Sequence, residues 1–555
     1  MSKSKKIQEK TAVEKNNSAA FSLKTFTANP LVSTYLPVIV FALVTFVLRW
    51  RLLDIPLERD EGGFAYMGYT WLNGTPLFSD YVDVKPPMIY ILYGIFEGLF
   101  GATPKGIHTG LFIFNLGFTI TFYFYIKKKF SFGTAVISSL VFIFLSALPN
   151  VFGFAAHATQ LLLWPAIAGI WLTDYSLEKS KIHYLVPAGF LLGMAFLVKQ
   201  QAIGFMLLAG FYLTYLTLIK DKNWKRWIFT GSILTISALS PYLICIIWFY
   251  FSGNLNNFWY WTYVWPAQFA ATQTGNIEVF KMMYNMVTNN IEIFWYLGLS
   301  GVILSCLDQW SAENKVFTVL LAIFGFISLS VGFHYYPHYF VVLLPAISLG
   351  VGLAFHFTYR ILSRFTQNTI FTYPAMIFAF ILLFYKQYTP QKNYFTKTKK
   401  ADIVRQVYGT NPFQESYILG NKIKSMSKSG DSILVLGSEP ELLFYAKLPT
   451  ISQHMHYYQL VDGGPQNDSL QTELITKVEK SKPRFLVFAR SGFSWLVKDP
   501  NNQLFQWVNK LFQSYNLKGV INIYKNKPSE YYWDAEATQD KVGSEDVLFF
   551  FELKQ

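Results

Sequence analysis

The chain has 555 residues, of which 52% are hydrophobic, 19% aromatic and only 14% charged. Soluble domains carry roughly 25% charged residues, so this composition excludes a water-covered globule. The net charge of +14 does not indicate nucleic acid, because the basic residues fall in short segments between apolar runs and form no reading motif.

The first thirty residues are polar and carry Lys3, Lys5, Lys6, Lys10 and Lys15. A full-length apolar run follows at 29–48, which reads as a signal anchor rather than a cleavable leader. Apolar periodicity and length then predict eleven membrane spans: 31–50, 106–126, 131–149, 157–174, 184–198, 201–219, 228–251, 291–307, 316–333, 339–358 and 367–385. With the N-terminus inside, Lys127 to Lys129, Lys179 with Lys181, Lys220 to Arg226, and Arg360 with Arg364 all fall on the cytoplasmic side, as the positive-inside bias requires. That parity holds only if Met88–Phe100, which is short and carries Glu97, lies along the outer surface instead of spanning.

After residue 386 the chain turns polar. Strand signals at 432–437, 485–489, 520–524 and 547–553, and helix signals at 440–446 and 504–515, predict a small α/β domain over 387–555. Eleven spans place it outside the cytoplasm. The fold class is therefore an α-helical multi-pass membrane protein with a C-terminal soluble α/β domain. Its parts are a cytoplasmic tail (1–30), a membrane domain (31–386) with a first outer loop at 51–105, and the extracytoplasmic domain. The two cysteines, Cys245 and Cys306, both sit in apolar runs and imply neither a disulfide framework nor a thiolate metal site.

Chemistry concentrates on the outer side. Asp60 and Glu61 open the first outer loop. A shielded carboxylate there has three readings: a general base with a raised pKa, an oxygen ligand of a divalent cation, or a solvated pair with Arg59. Lys85 stands before Pro86-Pro87, where a helix starts. It reads either as part of a phosphate site with the helix N–H groups or as a snorkelling anchor. Lys199 lies outside against the charge bias, and His334 and His338 flank another outer turn. These histidines either bind phosphate and sugar oxygens or cap an aromatic belt. Trp259, Tyr260, Trp261, Tyr263 and Trp265 form either such a belt or an acceptor surface. There is no nucleotide loop and no nucleophile elbow.

The series Arg59-Asp60-Glu61, Tyr66, Gly74-Thr75-Pro76-Leu77, Asp80, Asp83 and Lys85-Pro86-Pro87 resembles the first outer loop of GT-C glycosyltransferases. Gly193 to Gln200 and the turn from His338 to Ala346 extend the likeness over roughly 30–360. It is nearest the bacterial branch related to aminoarabinose (lipid A) transferases and protein O-mannosyltransferases. The resemblance implies a GT-C-like membrane domain in a bacterial cytoplasmic (inner) membrane. It implies an enzyme that moves a hexosyl or pentosyl group from a polyprenyl-phosphate donor to an extracytoplasmic glycolipid, glycan or protein. By the same likeness Asp60, with Glu61 second, is catalytic or holds a divalent metal ion. Lys85 meets the donor phosphate. Lys199, His334 and His338, which the topology puts on the same outer face, are expected to join it in substrate binding, together with Tyr66 and Asp83. Many relatives carry an acid near the fourth span where this chain has His157-Ala158-Thr159-Gln160. A polytopic lipid or glycan transporter and a non-catalytic membrane scaffold are the competing classes. A transporter is expected to show an internal repeat, and the sequence has none.

Overall fold

A computed structural model describes residues 29–271, 277–366, 369–496 and 502–554. The lysine-rich N-terminal segment lies outside the described residues. Each of the eleven apolar segments contains helix. By length and apolarity alone, six helices among the described residues can cross a membrane. A seventh is added if Ile277–Thr288 and Glu292–Leu307, bent by 111° at their junction, count as one. Eleven crossings are therefore not established by helix length. Phe132–Ser146 and Ile182–Val198 are among the apolar helices that fall short.

Local chemistry sets the breaks. Thr103 caps Pro104–Lys129 by accepting the Gly106 N–H, proline occupies the first turn, and three lysines fill the last. The helix Met88–Phe100 starts after Pro87 and stops at Gly101, whose φ of 93° suits glycine. Its 13 residues rise about 20 Å, short of a hydrocarbon core about 30 Å thick.

The membrane domain is held partly by close backbone crossings. A Cβ on Gly350 would lie 1.9 Å from the Gly298 carbonyl oxygen, and one on Gly301 would lie 1.8 Å from the Gly350 carbonyl oxygen. Glu292–Leu307 and Leu344–Thr366 thus meet main chain to main chain, as small residues permit in lipid. Gly350→Val should force this crossing open at a cost of about 3 kcal/mol, the upper end for overpacking. Thermal unfolding of detergent-purified protein would read this as a clear loss, and an unchanged midpoint would refute the crossing.

The C-terminal domain carries one sheet of five strands: β1 (Ile433–Leu436), β2 (Phe485–Arg490), β3 (Tyr515–Ile523), β4 (Glu530–Trp533) and β5 (Asp546–Leu553). Their order is β1-β2-β5-β3-β4, with β1 parallel to β2 and the remaining pairs antiparallel. Helix 440–446 falls where expected. The helix expected at 504–515 ends earlier: Gln503–Leu511 gives way to a short 3-10 turn and Tyr515 opens β3. The domain is fused to the first outer loop. Leu57 N–H donates to Tyr445 Oη at 2.7 Å, and one buried hydrophobic cluster runs through Phe64, Tyr93, Phe444 and Val487.

Candidate active site

Helix Arg59–Leu72 positions the central carboxylate. Glu58 is its N-cap and accepts the Glu61 N–H at 2.9 Å, while Glu61 Oε2 accepts the Glu58 N–H at 3.3 Å. Neither capping bond uses Asp60, which sits between the two. Glu61 is further engaged: its Oε1 accepts the Ala156 N–H at 2.6 Å and lies 3.0 Å from His108 Nε2. It is 1% exposed. Glu61, expected beside Asp60 as a catalytic or metal-binding group, instead ties the helix start to the membrane domain.

Asp60 faces cations. Burial alone would raise its pKa, but Lys85 first, then His456, His157 and Lys199, hold it down at about 2. This reverses the expectation of a carboxyl with a raised pKa. Burial pulls Lys85 down, yet Asp60, Asp83 and Glu58 outweigh it and keep its ammonium above the usual lysine range. Lys199 is 5% exposed and stacks 4.0 Å over the Tyr339 ring. Burial, helped by Lys85, draws its pKa well below normal. His334 is lowered by burial, Lys85 and Lys199. Asp60, Lys85, Lys199 and His334 thus share one electrostatic neighbourhood.

Aromatic rings form the opposite wall. His157 stacks on His338 with centroids 4.0 Å apart and planes 8° from parallel. His338 is followed by Tyr336 at 6.0 Å and Tyr336 by His334 at 5.4 Å. Ligand atoms of Asp60, His157 and His338 all lie within 4.8 Å of one another, and His157 Nε2 and His338 Nδ1 are buried without hydrogen-bond partners. These are the donors a divalent ion would use. The stack opposes such a site, because an imidazole lone pair lies in its ring plane and one ion cannot lie in two parallel planes. As placed, the three residues do not fit a shared metal ion.

The C-terminal domain closes the remaining side. Val82 N–H donates to the Gln453 carbonyl at 2.7 Å, and Met455 N–H to the Val82 carbonyl at 3.4 Å, forming a parallel bridge between Val82 and His454. Asp83 is fully buried there. It accepts the Val84 N–H at 2.7 Å and the Tyr90 hydroxyl at 3.1 Å, and His456 Nε2 lies 3.5 Å away. Tyr66, expected to touch substrate, is 1% exposed, and its hydroxyl donates to the Leu448 carbonyl and accepts the Thr450 N–H. It pins the domains together. Arg59 reaches the Ser438 carbonyl, Asn411 and Glu439.

The structure therefore gathers Asp60, Lys85, Lys199, His334 and His338, sets Asp83 in the wall, and engages Glu61 and Tyr66 in hydrogen bonds to neighbouring segments. Sequence reasoning missed Glu58 as the cap and His456 as a member of the site. The acid spaced three before Glu61 was the signal for Glu58.

Residues 84–248 match the family described as dolichyl-phosphate-mannose-protein mannosyltransferase. No curated protein matches the sequence. Among solved structures, ArnT from Cupriavidus metallidurans bound to undecaprenyl phosphate aligns over 94% of this chain and 98% of its own, with 13% identity and a TM-score of 0.57. The archaeal oligosaccharyltransferase AglB from Archaeoglobus fulgidus, in complex with an inhibitory peptide and a dolichol-phosphate, aligns over 92% of this chain and 75% of its own, with 11% identity and a TM-score of 0.50. The A. fulgidus oligosaccharyltransferase in complex with Zn and sulfate aligns over 92% of this chain and 74% of its own, with 11% identity and a TM-score of 0.51. The helical body, the loop built around Asp60 and the sheet-bearing C-terminal domain together form the GT-C glycosyltransferase fold.

Proposed function

We propose that this chain is an integral membrane glycosyltransferase that takes a sugar from a polyprenyl-phosphate carrier and gives it to a hydroxyl acceptor outside the cytoplasmic membrane. The observation that carries this reading is the carboxylate Asp60, which takes no part in the helix cap and is set among Lys85, Lys199 and the histidine wall. A hydroxyl and a phosphorylated sugar are the pair such an arrangement serves. All eleven apolar segments cross in this reading. The N-terminus is then cytoplasmic, the membrane domain spans 31–386, and the C-terminal domain from 387 sits over the outer leaflet. Acceptors of three kinds suit it: a glycolipid, a surface glycan or a protein hydroxyl.

The chemistry is one in-line displacement with inversion. The acceptor oxygen bonds to the anomeric carbon as the bond from that carbon to phosphate oxygen breaks, and the carrier phosphate keeps the electron pair. Asp60 orients the acceptor hydroxyl and draws off its proton. Lys85 meets the developing phosphate charge, and the approach of that charge favours the ammonium form of Lys199. One preorganised donor of this kind supplies roughly 3 kcal/mol.

Purified protein incubated with radiolabelled polyprenyl-phosphate sugars and cell-envelope acceptor fractions should transfer label, and failure across hexose and pentose donors would reject the reading. Lys85→Ala should weaken undecaprenyl phosphate binding about 10- to 100-fold, the range for a lost charged hydrogen bond. Unchanged affinity in a fluorescence titration would remove Lys85 from the phosphate site.

A further inference from the structure

The proton taken from the acceptor has to leave the site, and the cations that keep Asp60 ionised make it a poor place to store one. A histidine from the other domain borders the helix that carries Asp60. His456 is 1% exposed. Its Nε2 points at Asp83, and its Nδ1 is buried without a hydrogen-bond partner. An imidazole with one N–H directed at a carboxylate presents a lone pair on its other nitrogen, the arrangement of an oriented general base. Asp83 is itself fixed by Tyr90 and the Val84 N–H, so the ring orientation is set from two sides. Tyr458 stacks on the ring at 5.2 Å.

Position relative to Asp60 is the second observation. A Cβ built on Gly63 would lie 3.7 Å from His456 Nε2 and 3.9 Å from Asp83 Oδ2. Gly63 follows Asp60 by three residues and shares its helix face. After Lys85, the His456 ring is the group whose protonated form would act most on Asp60.

We infer that His456, carried in by the C-terminal domain and oriented by Asp83, is a further catalytic residue that receives the acceptor proton on Nδ1 once Asp60 has drawn it off. The inference rests on the glycosyltransferase reading above. The balance is complete: the sugar carbon exchanges a phosphate oxygen for the acceptor oxygen, the phosphate leaves with the electron pair, and the proton ends on an imidazolium beside Asp83. Asp83 and Asp60 favour that imidazolium, while burial, Lys85 and Arg59 oppose it and hold the ring below its ordinary pKa. Burial thus favours the neutral ring, the form able to accept a proton.

The test uses the full chain in detergent or vesicles, radiolabelled polyprenyl-phosphate sugar, and undecaprenyl phosphate as the binding probe. His456→Gln should lower kcat about 10²-fold, the low end for a lost proton acceptor, with undecaprenyl phosphate affinity within twofold. The unaltered protein should lose rate on the acid side of neutrality, and His456→Gln should flatten that limb. His456→Asn, shorter but still polar, guards against a packing fault, and both variants should resist proteolysis like the parent. Transfer at the parental rate, an unshifted acid limb, or loss of rate in step with loss of probe affinity overturns the inference. No transfer by the unaltered protein overturns the glycosyltransferase reading and the inference with it, whereas equal transfer by parent and His456→Gln overturns the inference alone.

Discussion

Asp60→Asn should abolish sugar transfer while leaving the amount of protein in the membrane unchanged. The two halves of this expectation have separate causes. The start of helix Arg59–Leu72 is capped by Glu58 and Glu61, so removing the charge between them costs the helix no cap. In the proposed mechanism the reaction loses the group that orients the acceptor and draws off its proton, worth about 10²–10⁴-fold in rate. The pH dependence sharpens the test. The cations around Asp60 lower its folded pKa from 3.8 to about 2. Its favourable pairing is thus fully present above 3.8 and fades only as pH falls toward 2. Asp60 is ionised throughout any practical assay, so Asp60→Asn should remove rate equally at every pH from 5 to 8. A loss that appears only on one limb would assign the missing group elsewhere, and full activity would end the role of Asp60.

The second large effect is expected at Gly62. A Cβ there would lie 2.3 Å from the Glu441 nitrogen and 2.4 Å from its Cα, both main-chain atoms that cannot swing aside. In an isolated helix glycine to alanine is favourable by about 1 kcal/mol. Gly62→Ala should therefore strengthen the helix and still damage the protein. Helix Pro440–Ala446 has to lift from helix Arg59–Leu72, which strains the pair Arg59–Glu439 and the Tyr66 bonds to Leu448 and Thr450. The expected cost is about 3 kcal/mol, with cleavage by protease in the C-terminal domain and loss of transfer. Gly63→Ala is the control. Its Cβ meets Pro440 at 3.6 Å, an ordinary contact, so docking should survive. Equal protease resistance in Gly62→Ala and the parent would refute the close approach.

Much of the membrane domain was legible because lipid imposes a simple code. Long apolar runs and basic connectors located the helical segments, and the short apolar helix Met88–Phe100 was read with its observed bounds. Strands β1, β2 and β5 were legible from apolar, β-rich runs between turn residues, and β3 was recognised only over its C-terminal half. Strand β4, with no buried residue, gave no such signal. Helices Phe413–Met426 and Asn467–Ser481 were missed because their polar faces dilute the apolar period. In the site, Asp60, Lys85, Lys199, His334 and His338 could be grouped from topology alone. What each acid does could not. Glu61 differs from Asp60 by one position on a helix turn, and only packing against Ala156 and His108 decides which is occupied. His456 was invisible for a different reason. It lies almost four hundred residues after Asp60, in a domain whose local pattern describes its own sheet and not its partner.

The bridge between Val82 and His454 carries a lesson about timing. The ribosome completes Val82 long before it reaches His454. Until the later segment has folded back onto the loop, the site around Asp60 stands open on one side. Completion of the site is thereby coupled to the folding of a segment made much later.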